Sequence, residues 1–485
     1  MHVLHVGHGY TPFHHGGLLA YAEDLMVAQV AAGLEVSYFC AGRNYPLIRP
    51  SVRRRRRDGV SVYELLNSPV QIGPLERGTR HPRRDLEEPS VGRLFREVLA
   101  EARPDLVHVQ ELGRLPSSLL ETARDAGVPV VMTLHDYFPL CPTLKLFDAG
   151  GNICMRRDPA PECVRCCRDA PGPLDPVIGT VGFHRRGLEQ RFPAVERLPK
   201  PRDILRRRRA EDGPPAPGAV PSAQEIGGDI EGFRLRRQVN VARLGAVDRL
   251  LAVSPRVAEI YTELGVDAAH LSTIGLTLTR LESIRPRRIE EVAGPVRFVT
   301  LAGCSTIAKG AEVVAGALDR LAATGLTDKD LTLTVAGQVD PAVADRIAAS
   351  PFARTIGAYS TAQLDALLDG FHVGIVPSVW EETHGFTGVE LLAKGIPVIG
   401  NAVGGIVEYT RDGETGWLNR DRSAEGVAAI MAAIARDPGQ VAGLSKRIVE
   451  RRHELVPPMA AHVAELLEVY RELLAQTSST SAPAG

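Results

Sequence analysis

Residues 377–417 read PSVWEETHGFTGVELLAKGIPVIGNAVGGIVEYTRDGETGW, and this stretch decides how the rest of the chain is read. Two carboxylates, Glu382 and Glu390, stand eight positions apart with Gly385 and Gly388 between them. ValGluLeuLeuAlaLys then has helical character, IleProValIleGly reads as a buried strand, and a glycine pair follows at 404 and 405. Outward from here, strands are expected at Val296–Leu301, Leu331–Ala336, Val373–Val376 and Pro397–Gly400. In the first half they are expected at His2–Gly7, Glu35–Cys40, Asp105–Val109, Val128–Leu134 and Leu250–Val253. Strands that alternate with helical stretches, beginning with the amphipathic Leu18–Ala32, predict parallel, doubly wound α/β sheets. A chain of 485 residues exceeds what one core usually organises, so two such units are expected.

The Glu382-to-Glu390 spacing resembles the Glu-x7-Glu signature of glycosyltransferase family 4, retaining sugar transferases of the GT-B fold. Glu381 competes with Glu382, but only Glu382 keeps the seven-residue gap. The chemistry suits such a donor. Backbone N–H groups at a glycine-opened helix start, Gly385, Phe386 and Thr387, approach a diphosphate closely. Glu382 accepts from sugar hydroxyls and stabilises positive charge developing at the anomeric carbon, and Glu390 suits the vicinal hydroxyls of a ribose. Without this context the two glutamates describe an exposed loop and an ordinary surface helix.

Other positions carry the same resemblance. TyrThrProPheHisHisGlyGlyLeu is similar to the family's first loop, with Gly16 and Gly17 opening the first long helix near the donor. His14 and His15 of that loop are read as solvent-exposed residues or as acceptor contacts. ThrLeuHisAspTyr places His135 past a strand end, where the family has a histidine that approaches the donor sugar; a capping or core histidine is the alternative. LeuAlaGlyCysSerThrIleAlaLysGly resembles the family's Gly-Arg-x-x-x-x-Lys-Gly loop, so Lys309 is the candidate cation for the diphosphate. Cys304 stands where that pattern has arginine, which halves the charge on this side unless another group compensates. ValAlaGlyGln at 335–338 and the stretch around Gly357 are similar to nucleotide-side loops. A dinucleotide fingerprint is disfavoured, because Pro12 follows Gly7 and Gly9 where a third glycine belongs.

The resemblance implies a GT-B chain with an acceptor-side unit at 1–285, a nucleotide-sugar unit at 295–457, a helix at 458–476 that crosses back to the first unit, and a disordered tail at 477–485. It implies transfer from a nucleoside-diphosphate sugar to a glycan precursor or a small natural product, with no catalytic metal. The alternatives are another GT-B enzyme, such as a sugar-nucleotide epimerase or a phosphorylase, and a non-catalytic scaffold stapled by metal. Residues 169–232, rich in Pro, Arg and Gly, read as an insertion with a flexible stretch inside it.

Five of the seven cysteines fall between 141 and 167, and Cys163 and Cys166 have metal-ligand spacing. Cys141, Cys154, Cys163 and Cys166 are candidates for a structural zinc that would staple this loop, with Cys167 able to replace Cys166. An iron–sulfur cluster and ordinary reduced thiols are the other readings. A formal net charge of −1 gives no footprint for nucleic acid. The runs Arg53–Arg57 and Arg206–Arg209 are expected as solvated loop or helix edges, with contact to an anionic membrane surface or acceptor open. No apolar run is long enough to span a bilayer and no leader pattern opens the chain, so a cytoplasmic protein is expected. The oligomeric state is left open.

Overall fold

His2–Gly7 is buried at every position, as a strand covered on both faces requires, and it forms β1. It pairs in parallel with β2 (Glu35–Ala41) on one side and β5 (Leu106–Val109) on the other. β6 (Val130–Leu134), β7 (Arg249–Ala252) and β8 (Leu271–Thr273) extend the sheet beyond β5. β4 (Val60–Leu66) and the antiparallel β3 (Ser51–Arg57) extend it beyond β2, giving the order β3-β4-β2-β1-β5-β6-β7-β8. The computed structural model describes residues 1–480 except Pro12, His15, 46–48, 71–74, 173–174 and 192–227.

A second, all-parallel sheet has the order β11-β10-β9-β12-β13-β14. Its strands are β9 (Val296–Leu301), β10 (Leu331–Ala336), β11 (Ala353–Gly357), β12 (Val373–Val376), β13 (Val398–Asn401) and β14 (Gly416–Asn419). In each sheet the chain order reverses once near the middle, between β1 and β5 and between β9 and β12. Such switch points open a crevice beyond the C-terminal strand ends, where ligands bind in open α/β sheets.

The last helix, Met459–Thr480, returns to the first sheet. Its buried Tyr470 meets Gln29 at 3.1 Å and His108 at 2.6 Å, and its His462 lies 2.7 Å from the Tyr21 hydroxyl. The tail expected from 477 onward is corrected in part: the helix runs on to Thr480, where Thr477 Oγ1 donates to the Leu473 carbonyl at 2.9 Å. Residues 481–485 lie outside the described residues.

The arginine run is also corrected. Arg53–Arg57 is the edge strand β3, and its period of two divides the side chains between two sets of partners. Arg53 reaches buried Glu64, Arg55 lies 3.6 Å from the Tyr10 ring centroid, and Arg54 pairs with Glu101. Arg206–Arg209 and the Pro-rich centre of the expected insertion lie outside the described residues. The insertion's flanks hold helix Asp175–Arg191 and the start of helix Ile230–Gly245, which Asp229 caps by accepting from the Gly232 N–H at 2.7 Å.

Helix Ile230–Gly245 clamps the loop that follows β6. Arg236, fully buried, donates to Asp85 at 2.8 Å and to the Phe138 and Pro139 carbonyls, and Asn240 donates to Pro139 at 2.7 Å. Arg236→Met would strand Asp85 as a buried carboxylate without its cation. A loss of about 3–5 kcal/mol in denaturant unfolding is expected.

Burial also depresses several imidazoles, His5 to about 4, His135 to about 3 and His462 to about 4, from an ordinary 6.5. The unfolded chain takes up these protons near 6.5, whereas the folded chain resists them down to 3–4. Their stability contribution is therefore full above the unfolded value and declines as pH drops through the interval between the two. Thermal melts are expected to show a plateau in Tm above about pH 7 and a steady fall between about pH 6 and pH 4.

Candidate functional site

Loops from the C-terminal strand ends of both sheets enclose a cavity of about 580 Å³. The loop after β9 ends in Lys309 and Gly310, and Gly310 opens helix Ala311–Leu321 at φ 96°. A Cβ on Gly310 would stand 2.1 Å from the Pro377 carbonyl oxygen, so only glycine lets this loop press against the one after β12. That approach sets Lys309 Nζ 2.7 and 2.8 Å from the two carboxylate oxygens of Glu382. Ser378 Oγ donates to the same carboxylate at 2.9 Å, and the Trp380 ring centroid lies 5.3 Å from Nζ. Glu381 faces away from this pair: it accepts from Arg256 at 3.1 Å and from the Gly404 N–H at 2.9 Å.

Gly385, at φ 79°, starts helix Phe386–Lys394, and no side chain caps it. The N-terminal amides of the helix therefore face the cavity with their dipole positive towards it. Gly388 is required by packing, since a Cβ there would meet the Tyr409 ring at 2.2 Å. Glu390, in the second turn, is buried and paired with Arg280, whose Nε donates at 2.7 Å. Burial raises the Glu390 carboxyl above its ordinary range, and Arg280 opposes that shift.

From the first sheet, Gly16 and Gly17 bring the uncapped start of helix Gly17–Ala31 to the same cavity. A Cβ on Gly17 would stand 3.1 Å from the Phe386 ring, so the two helix starts nearly touch. His135 follows β6, and Thr383 Oγ1 donates to its carbonyl at 2.7 Å, tying the two units together beside the cavity. Burial, reinforced by His462 and His384, keeps the imidazole neutral, with its pKa down to about 3.

The structure thus places Gly16, Gly17, His135, Lys309, Glu382, Gly385, Phe386, Thr387 and Glu390 around one cavity. Cys304 does not border it. Its thiol is fully buried and pushed up to about 12, so it stays neutral and supplies no charge. Arg280 was missed by sequence reasoning, and it is the second cation among the described lining residues beside Lys309. It comes from a short segment between the sheets that carries no motif. His384 and Trp380 were missed as well; both lie inside the decisive stretch, but nothing in their spacing marks them, whereas Tyr359 falls in the stretch around Gly357 expected as a nucleotide-side loop.

Cys141, Cys154, Cys163 and Cys166 border one small cavity together with Arg237, and all seven cysteines are free thiols. Among the described residues no three His, Cys, Asp or Glu side chains are gathered as metal ligands. Around these thiols Arg237 donates to the Leu140 and Arg156 carbonyls, and Arg156 donates to Cys154 Sγ at 3.3 Å. Burial pushes the Cys163 thiol up and that of Cys166 to about 12.

Residues 16–158 match the model of a glycosyl transferase 4-like domain, and residues 296–437 match that of glycosyl transferases group 1. A glycogen synthase of Mycobacterium tuberculosis is 29% identical over 219 residues, which are 42% of this chain and 50% of that protein. The chain thus spans about half the length of that curated relative. Among solved structures, a sucrose-phosphate synthase from Thermosynechococcus elongatus superposes with a TM-score of 0.59 at 18% identity, covering 98% of this chain and 99% of that one. Anabaena Alr3699/HepE in complex with UDP-glucose gives 0.56 at 12% identity over 97% and 100% of the two chains. The two sheets facing across a cleft are the GT-B fold.

The Lys309–Glu382 pair is the electrostatic centre of this cavity. Lys309→Met would leave the nearly buried Glu382 carboxylate with Ser378 alone. A loss of about 1–2 kcal/mol is expected in denaturant unfolding.

Proposed function

We propose that this chain is a retaining glycosyltransferase, moving a sugar from a nucleoside diphosphate to a hydroxyl of a glycan precursor or a small natural product. The observation that carries this reading is that Lys309, Glu382, the uncapped helix start at Gly385 and the buried Glu390 all open onto one cavity between the sheets. The solved complex of Alr3699/HepE with UDP-glucose supports the donor class. Both family models, which together touch both units, support the transfer.

In this reading the diphosphate lies across the helix starts at Gly385 and Gly17 and shares Lys309 with Glu382. The bond from the anomeric carbon to the β-phosphate oxygen breaks, and the electron pair leaves with the diphosphate. Lys309 and the helix amides stabilise that charge, while the Glu382 carboxylate stabilises the positive charge on the sugar. The acceptor oxygen bonds to the same face of the anomeric carbon and passes its proton to the departing phosphate oxygen. Arg280 supplies the second cation that Cys304 does not, and Glu390 holds both Arg280 and the ribose. Residues contributed by both units make closure over the donor part of the cycle.

Among the described residues no helix is long and apolar enough to cross a membrane. A cytoplasmic location and peripheral membrane contact remain part of the proposal, as do the unit boundaries at 1–285 and 295–457.

A thermal-shift screen against UDP-, GDP-, TDP- and ADP-sugars tests the donor site. One nucleotide class is expected to stabilise the chain, and Glu390→Ala is expected to weaken that binding about tenfold or more. No shift with any nucleotide would overturn the reading and favour the non-catalytic scaffold. Product formed from donor without acceptor would favour an epimerase. Inverted configuration at the anomeric carbon of the product would overturn retention.

A further inference from the structure

Behind His135 lies a closed set of buried polar side chains that the proposed transfer does not use. Gln110 leaves the end of β5 at the switch point of the first sheet and is buried. Its Oε1 lies 2.9 Å from His135 Nε2. Its Nε2 lies 3.1 Å from His5 Nδ1 and 3.2 Å from His108 Nδ1. A carboxamide oxygen only accepts and its nitrogen only donates, with one hydrogen for each imidazole. His135 therefore carries its proton on Nε2, and His5 and His108 present bare Nδ1 atoms to Gln110.

The outer bonds require the same protonation. His5 Nε2 donates to Gln29 Oε1 at 2.7 Å, and His108 Nε2 donates to Thr133 Oγ1 at 2.8 Å. Gln29 Nε2 donates to the Tyr470 hydroxyl at 3.1 Å, leaving that hydroxyl to donate to His108 Nδ1 at 2.6 Å. Every donor meets an acceptor, with the Gln110 amide and the Tyr470 hydroxyl sharing the one lone pair of His108 Nδ1. Turning one member alone would set two donors or two acceptors face to face in a buried site. The polarity reverses only if both carboxamides flip, the Tyr470 and Thr133 hydroxyls turn, and His5, His108 and His135 each move the ring proton to the other nitrogen.

We infer that Gln110, and through it Tyr470 of the C-terminal helix, are positioning residues that hold His135 as the Nε2–H tautomer. With Nε2–H committed inwards, Nδ1 is the ring atom left for a ligand in the cavity. It offers a lone pair, so His135 accepts from a hydroxyl of the bound donor rather than donating to it. Two helices distant in sequence, Gly17–Ala31 through Gln29 and Met459–Thr480 through Tyr470, thereby set the chemistry of one cavity residue. His5, His108 and His135 are all neutral because burial lowers each of them, so the polarity is not masked by protonation near neutral pH. The tautomer rests on the orientation of the two carboxamides in this network, whereas its catalytic consequence rests on the proposed glycosyl transfer.

The test compares wild type, Gln110→Leu and Tyr470→Phe by imidazole ¹⁵N NMR of His135 and by steady-state kinetics with the nucleotide sugar found in the screen. The wild type is expected to show the Nε2–H tautomer, and both variants a mixture. kcat is expected to fall about tenfold or more with donor KM changed less than about threefold. Gln110→Glu keeps an oxygen towards His135 and is expected to restore part of the Nε2–H population. Tyr470→Phe removes one hydroxyl from a residue that does not line the cavity and stands in if Gln110→Leu does not fold. An Nδ1–H tautomer in the wild type, or a tautomer unchanged in the folded variants, would overturn the inference. The NMR readout needs no donor, so a failed donor screen beside a shifted tautomer would sink the transfer reading and leave the positioning role standing.

Discussion

Two sheets, parallel but for the edge strand β3 of the first, meet through the C-terminal ends of their parallel strands and constrain everything else in this chain. Parallel strands deliver all their following loops to one edge, and each sheet here reverses its strand order once, between β1 and β5 and between β9 and β12. The crevices so opened face each other. Lys309 follows β9, Glu382 follows β12, the Gly16–Gly17 turn follows β1 and His135 follows β6, so residues from four distant segments share one cavity. Glycine permits the closest of these approaches, with Gly310 against Pro377 and Gly404 against Glu382.

Charge in the cavity is balanced in pairs. Lys309 is held by Glu382 and Arg280 by Glu390, so each cation is poised by a carboxylate instead of standing free. An entering diphosphate would compete for cations already oriented, and the donor hydroxyls would compete for the matching carboxylates. The uncapped helix starts add positive potential without a side-chain partner to displace. In the proposed transfer this makes donor binding an exchange of partners, which limits the cost of burying four charges in a cleft.

The sequence made the second sheet legible because its signals are local. Buried strands such as Val296–Leu301 are continuous apolar runs, and the spacing of Glu382, Gly385 and Glu390 is fixed by one loop and one helix. The misreadings share a cause. Arg53–Arg57 looked like a solvated run because its partners, Tyr10, Glu64 and Glu101, are supplied from elsewhere in the fold. The short edge strands β8 and β14 have too few residues to show a period. The carbonyls of Phe138, Pro139 and Leu140, just before the cysteine loop, are held by Arg236, Arg237 and Asn240 from a helix about a hundred residues on, which no local spacing announces.

Sequence alone determined the α/β class and the two-unit plan, because these depend on periodicity and length, while the resemblance to a known family pointed to the glycines and carboxylates that line the cavity. Tertiary structure decided which charges pair, that Arg280 joins the cavity while Cys304 is sealed away, and that Gln110 and Tyr470 stand behind His135. Those outcomes depend on atoms from 25 to 362 positions apart meeting within hydrogen-bonding distance. Only packing of the sheets and of the returning helix fixes such distances.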